Sequence, residues 1–442
     1  MARRIVRAIG AGREVDLREM INSKVVHGRR LSPEISSLLM AACSFVVYAW
    51  LRSRNFTIVD GAVRCIEVFY HPKVFFHENN HLLYPVNVLL WQKLLGLFGI
   101  RAQGPVEYLA LTQLMNAAAA GLCLGILYYL LWIATASRRA AFIGAILLGL
   151  SRAFLLHATN SAEPMAGLLW SLAGVLLAAE ARRRNRAVLA FVGGVLFALA
   201  LATYQSMILL APVALVICAA GDPPKRYRNV LALLAGGLCV AVAIYGLAYS
   251  RAGLEAPAAM AAKFFEVTGA DVYGGFSARK AALLPVGLAS SWVDVIPRDF
   301  AGFRSLLRLH ARDLTLPLLG AALALVIGAS VYAARRLAGA WGSLPASGRL
   351  AIVSASVGLA VTSIAPAGWE PLYDKLWLQP LVVWQFLLAV AFVPPAASTV
   401  SSWQRAAPFL FIAVLISNLS IAVSDSRRPT PYLREAEQVA EL

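Results

Sequence analysis

Twelve apolar runs, each separated from the next by a few polar or basic residues, constrain this chain more than anything else in it. They cover 35–51, 82–99, 107–135, 140–157, 164–180, 187–203, 206–220, 229–250, 314–334, 350–366, 377–394 and 406–423. A helix needs about 20 apolar residues to cross roughly 30 Å of hydrocarbon. Lipid offers no partner to backbone amides, so runs of this length predict helices and exclude an open sheet. Charge content agrees: 14% of the 442 residues are charged, against about 25% in soluble domains.

The basic residues orient these helices. Cytoplasmic loops of membrane proteins carry an excess of Lys and Arg. If all twelve runs spanned with the N-terminus inside, the clusters Arg138-Arg139, Arg182-Arg183-Arg184, Lys225-Arg226 with Arg228, and Arg335-Arg336 would face outward. Removing 82–99 from the count turns all four clusters inward. That run also holds Tyr84, Pro85, Asn87, Gln92 and Lys93, which suit a helix lying on the outer surface. The expectation is an all-α polytopic membrane protein of about eleven transmembrane helices. Two large extracytoplasmic loops, about 52–106 and 251–313, carry interfacial helices. Residues 1–34 form a basic cytoplasmic leader, 35–424 the transmembrane domain, and 425–442 an external tail.

The net charge of +17 raises nucleic acid as a partner, yet no basic patch is interleaved with aromatics in a soluble region. The charge belongs to the loops, and the partner it implies is the bilayer. The leader, with Arg3, Arg4, Arg7, Arg13, Arg18, Lys24, Arg29 and Arg30, is expected to lie on anionic lipid. No small-residue cleavage site follows the first run, which therefore reads as a signal anchor. Of Cys43, Cys65, Cys123, Cys218 and Cys239, all but Cys65 fall within predicted spans, so no disulfide framework is expected.

Chemistry-bearing residues collect in the outer loops. The first loop holds Asp60-Gly61, Glu67, His71-Pro72 and His77-Glu78-Asn79-Asn80-His81, followed by Tyr84-Pro85. A later span ends at Ser151-Arg152 and His157, and Glu163-Pro164 opens the next. The 201–207 segment forms a hairpin around Tyr204-Gln205, and Trp369-Glu370-Pro371, Tyr373 and Lys375 form a late external turn. In this order the features resemble the GT-C superfamily, membrane glycosyltransferases that use polyprenyl-phosphate sugars. Protein O-mannosyltransferases and lipid A aminoarabinose transferases belong to it. The resemblance covers roughly 35–220 and the 369–375 turn. It implies transfer of a sugar from a polyprenyl-phosphate donor to a glycan or protein acceptor at the outer face of a bacterial inner membrane.

That chemistry needs one carboxylate to take the acceptor's proton and donors to meet the negative charge developing on the leaving phosphate. Asp60 is the first candidate base, and its alternative role is to cap a surface helix over 62–69. Glu163 is the second acid, or else complements the dipole of the helix that it opens. His77, His81 and Tyr84 are candidate substrate contacts. His71, His77, His81 and Glu78 leave open a divalent cation such as Mg or Mn, although their spacing matches no standard zinc motif. Arg152 is a candidate for the donor phosphate, or snorkels to lipid phosphate. Arg304, Arg308 and Arg312 recur every four residues as a cationic stripe on an amphipathic helix, suited to a lipid surface or to the donor phosphate. A second surface helix is expected over 261–270. Glu370 and Lys375 are candidates for sugar or phosphate beside the aromatic belt of Trp369, Tyr373 and Trp377.

Two other readings remain. O-antigen ligases and polymerases use Arg and His in outer loops on lipid pyrophosphate glycans, and Arg308 with His310 fits that pattern. A transporter or flippase needs polar groups near mid-membrane, where Gln113, Asn116 and Asn418 are the main ones.

Overall fold

The computed structural model describes residues 31–53, 59–70, 81–251, 275–293 and 315–392, with single positions at 253, 256 and 258–259 and between 411 and 427. Residues 1–30 of the leader, the 261–270 segment, His71, His77, Glu78, Arg304, Arg308, His310 and Arg312 lie outside the described residues, as does the tail apart from residues 426 and 427.

All regular structure among the described residues is helical: α1 (Pro33–Trp50), α2 (Val59–Tyr70), α3 (Tyr84–Leu97), α4 (Pro105–Thr135), α5 (Arg138–Gly149), α6 (Arg152–Thr159), α7 (Glu163–Arg184) and α8 (Ala187–Thr203) come first. A 3-10 turn, Gln205–Leu210, leads into α9 (Ala211–Ala219). The chain continues through α10 (Pro223–Arg251), α11 (Ala278–Trp292), α12 (Thr315–Ala340), α13 (Ala346–Thr362), the short α14 (Ile364–Gly368) and α15 (Asp374–Ala391).

Local chemistry sets the boundaries. Ser32 caps α1 by accepting from the Ile35 amide at 3.3 Å, with Pro33 preset for the first turn. Ser137 and Ser277 cap α5 and α11 in the same way, accepting from the Ala140 and Lys280 amides. α7 ends at Asn185, whose φ of 56° closes the helix in the left-handed region. Three arginines in its last turn complement the carboxyl end of the dipole.

Among the described residues six helices are long and apolar enough to cross a bilayer, or seven if α5 and α6 form one span bent by 68°. The eleven-span expectation therefore holds only in its coarser form. The run at 140–157 is broken at Leu150-Ser151 rather than straight. α8 has 17 residues, and α15 carries Asp374, Lys375, Gln379 and Gln385. The run at 406–423 is only sparsely described. α3 has 14 residues, about 21 Å at 1.5 Å per residue, too short to cross. It packs on α4 through the Trp91 indole, which donates to the Leu111 carbonyl at 2.7 Å.

α4 and α7 form the centre, with 72% and 67% of their most apolar windows buried; α1 and α10, at 11% and 17%, lie on the rim. Leu38, Val46 and Trp50 on α1, and Leu231, Leu238 and Val242 on α10, are exposed, as lipid contact requires. Small residues bring helices close where lipid supplies no hydrophobic drive between them. A Cβ at Gly121 of α4 would stand 2.5 Å from the Ala41 carbonyl oxygen of α1. Gly194 of α8 and Gly236 of α10 each approach the other helix's backbone so closely that a Cβ would overlap a carbonyl oxygen.

One element departs from the sequence reading. Residues 278–292, expected as part of the second outer loop, form α11, with Pro285 inside the helix and Trp292 fully buried. Gly287 sits against the Pro371 carbonyl with no room for a Cβ. The alanines, serines and glycine of this segment made its apolar signal weak, while their small size is what lets it insert.

Candidate functional site

One end of the bundle gathers the start of α7, the ends of α6 and α8, and the starts of α3 and α15. It is opposite the arginine clusters, because α7 begins at Glu163 and ends at Arg184. The turn between α6 and α7 is held from below. The Asn116 side-chain amide of α4 donates to the carbonyls of Asn160 and Ala162 at 2.7 and 2.8 Å. The Ser53 amide donates to the Thr159 carbonyl at 3.0 Å, and Gln113 in turn donates to the Ser53 carbonyl at 2.8 Å. These bonds fix the backbone from which Glu163 projects. Glu163 is fully buried at the first position of α7, where the amino end of the helix favours negative charge.

Lys375 supplies a cation within electrostatic reach of it. Its ammonium lies 4.6 Å from the Tyr373 ring centroid and 5.6 Å from that of Tyr204, within cation–π range. Burial depresses the ammonium's pKa, but the electrostatic pull of Tyr204, Tyr373 and Glu163 outweighs it and holds Lys375 above the ordinary lysine range. The His81 ring stacks on Tyr204 with centroids 5.3 Å apart and planes 20° apart. His81 is itself anchored by its neighbour: the Leu83 amide donates to the Ala202 carbonyl at 2.9 Å. Glu163, Lys375 and His81, three of the sequence candidates, thus share one site. Tyr204 and Tyr373 join them, and only their place in outer turns had marked them.

Arg152 reaches the first residue of α15, next to Lys375 in the chain. Rather than snorkelling to a lipid phosphate, it is buried, and its Nη1 donates to Asp374 Oδ1 and to the Ser290 carbonyl, both at 3.0 Å. Each side chain of the pair is 7% exposed. The bond ties the bend between α5 and α6 to α11 and α15. Nothing in the sequence pairs Asp374 with a residue 222 positions away.

Tyr84 is fully buried, with its hydroxyl 3.7 Å from Cys65 Sγ. It joins α2 to α3. Burial pushes the Cys65 thiol up to about 12 and the Tyr84 phenol well above its usual value, so both stay protonated at neutral pH. Asp60 lies in the first turn of α2, a helix that starts three residues earlier than expected. α2 packs over α3 and α4, with Phe69 against Tyr108 at 5.4 Å. Glu370 lies in the 369–373 turn, and its Oε1 is shielded from solvent with no hydrogen-bond partner among the described residues. The turn is braced by the Trp377 indole, which donates to the Pro371 carbonyl at 2.6 Å. All five cysteines are free. Among the described residues no three His, Cys, Asp or Glu side chains gather as metal ligands.

No family model matches the chain, and no curated protein does. Solved structures do. ArnT from Cupriavidus metallidurans, determined with undecaprenyl phosphate bound, superposes with a TM-score of 0.55 at 13% identity over 87% of this chain. The chain shares the fold of ArnT. It spans 63% of the length of ArnT. The S. cerevisiae protein O-mannosyltransferase Pmt1-Pmt2 complex, bound to the sugar donor, matches 59% of this chain and 37% of its own at 14% identity, with a TM-score of 0.38.

Proposed function

We propose that this GT-C-fold protein is a membrane glycosyltransferase that moves a sugar from a polyprenyl-phosphate donor to a glycan or protein acceptor at the end of the bundle holding Glu163. The observation that carries this reading is a fully buried Glu163 within electrostatic reach of the Lys375 ammonium, which lies 5.6 Å from the Tyr204 ring, in a fold shared with a protein that binds undecaprenyl phosphate. An acceptor oxygen attacks the anomeric carbon as the bond from that carbon to the phosphate oxygen breaks. The acceptor's proton passes to a carboxylate, and the polyprenyl phosphate leaves with the bonding electrons. Asp60 is the base in this scheme, with Glu163 as the second acid that orients the acceptor and balances Lys375. Lys375 and His81 meet the phosphate, where charge develops during transfer. His77, Arg304 and Arg308 complete the phosphate and sugar contacts from the outer loops, and Glu370 takes a sugar hydroxyl. Tyr84 acts through the packing of α2 on α3, and Arg152 by holding α15 in place. A divalent cation, Mg or Mn, is an addition to test by chelation. The topology that goes with this scheme has eleven spans, with the leader and the arginine clusters cytoplasmic and the site facing the periplasm.

Purified protein with a defined polyprenyl-phosphate sugar and acceptor tests the reading. Asp60→Asn and Glu163→Gln are each expected to lower kcat by about a hundredfold or more, the usual scale of general acid–base catalysis. Undiminished transfer by both variants would remove the carboxylates from the mechanism. Transfer lost with Arg308→Ala but indifferent to Asp60→Asn would favour a ligase acting on a lipid pyrophosphate.

A further inference from the structure

A cavity lies toward the end of the bundle that carries the arginines. It has a volume of about 320 Å³ and is lined by α4, α7, the 3-10 turn with α9, α13 and α15. That volume falls within the range of roughly 300–1,000 Å³ typical of ligand pockets. Leu130, Val175, Val213, Leu350 and Val383 make its walls apolar, while Arg182 and Arg183 stand where α7 ends. The two arginines differ. Arg183 is held by Glu180 through two bonds of 2.9 and 2.7 Å, and Arg184 shares the same carboxylate. Arg182 Nε is shielded from solvent and has no hydrogen-bond partner among the described residues. The last turn of α7 thus carries three cations against one carboxylate, with the unmatched guanidinium on the cavity wall.

We propose that this cavity holds an acyl chain of an anionic phospholipid from the leaflet on the arginine side, with its headgroup phosphate on Arg182. An apolar pocket within the bilayer takes hydrocarbon, and a half-buried guanidinium at its edge, its Nε shielded from water, favours a phosphate oxygen over a neutral headgroup. The occupant is distinct from a sugar donor engaged in transfer. Arg182 is 19 positions along α7 from Glu163, about 28 Å at 1.5 Å per residue, so a headgroup bound here cannot react there. The proposal does not depend on the transfer reaction. A bound chain would wedge α13 against α4 and α7, making the site a point where membrane composition sets bundle stability.

Native mass spectrometry of the full-length protein from mild detergent tests this, using phosphatidylglycerol and phosphatidylcholine with the same acyl chains. Wild type is expected to retain phosphatidylglycerol preferentially. Arg182→Gln is expected to weaken that retention by about fivefold, the worth of one arginine beside an anionic lipid, without changing phosphatidylcholine. Arg226→Gln, at the same end but outside the cavity wall, is expected to change neither. Ala351→Phe, which fills the cavity, is expected to reduce both. Equal retention of the two lipids by wild type, or full phosphatidylglycerol retention in both cavity variants, overturns the proposal. Competition on wild type covers the case of a misfolded variant. Dioleoyl phosphatidylglycerol should displace bound lipid and the dihexanoyl form should not; displacement by both alike would place the lipid on the surface and sink the idea.

Discussion

Arg152 and Lys375 are both cations near the same end of the bundle, yet their surroundings give them different work. Arg152 is paired with Asp374 and a carbonyl in the interior, where removing one partner leaves an uncompensated buried charge. Arg152→Met is therefore expected to cost about 3–5 kcal/mol, and the double change Arg152→Met with Asp374→Leu much less. Thermal unfolding in detergent reads both, and a double variant as unstable as the single one would show that the pair is not the origin of the loss. Lys375 instead faces rings and Glu163, which hold its pKa above the ordinary value. A raised lysine pKa keeps the charged form present until pH passes that pKa. Donor affinity should then stay flat between about pH 7 and pH 9.5 as far as Lys375 contributes, since an ordinary lysine titrates near 10.4. Lys375→Gln should raise the donor Kd by about tenfold, as expected for loss of one charge-assisted hydrogen bond. Affinity that falls across that pH range in wild type but not in the variant would contradict the assignment.

The individual elements show where small side chains do the positioning. α8 and α10 meet through Gly194 and Gly236, with no room for a methyl at either. Gly194→Ala must push the helices apart, and overpacking of this kind costs about 1–3 kcal/mol. Circular dichroism melting of the purified variant checks it, with Gly246→Ala as the control because a Cβ there meets nothing within 4 Å. The same principle explains α11. Its small residues let it pass between α12, α15 and α6, and its Ser290 carbonyl then reaches Arg152. A helix that contributes a carbonyl rather than a charged side chain leaves little trace in the sequence.

At the scale of the whole molecule the two ends differ in charge and in contents. The Glu163 end holds the buried carboxylates of Glu163 and Asp374, Lys375 and a set of aromatic rings, while the other end carries the arginine clusters. With those clusters cytoplasmic, a membrane-impermeant maleimide on intact cells should label Ala367→Cys but not Asn185→Cys. The reverse pattern would invert the topology. Much of this was legible beforehand. Runs of apolar residues dictated a helical membrane protein, because hydrocarbon length and backbone satisfaction act on any chain in a bilayer. Glu163, His81 and Lys375 were legible as polar residues in outer turns. The bend at Leu150-Ser151, the insertion of α11, the pairing of Arg152 with Asp374 and the stacking of His81 on Tyr204 were decided by the tertiary structure alone. Each depends on contacts between residues far apart in the chain, and a local pattern of hydropathy carries no term for those.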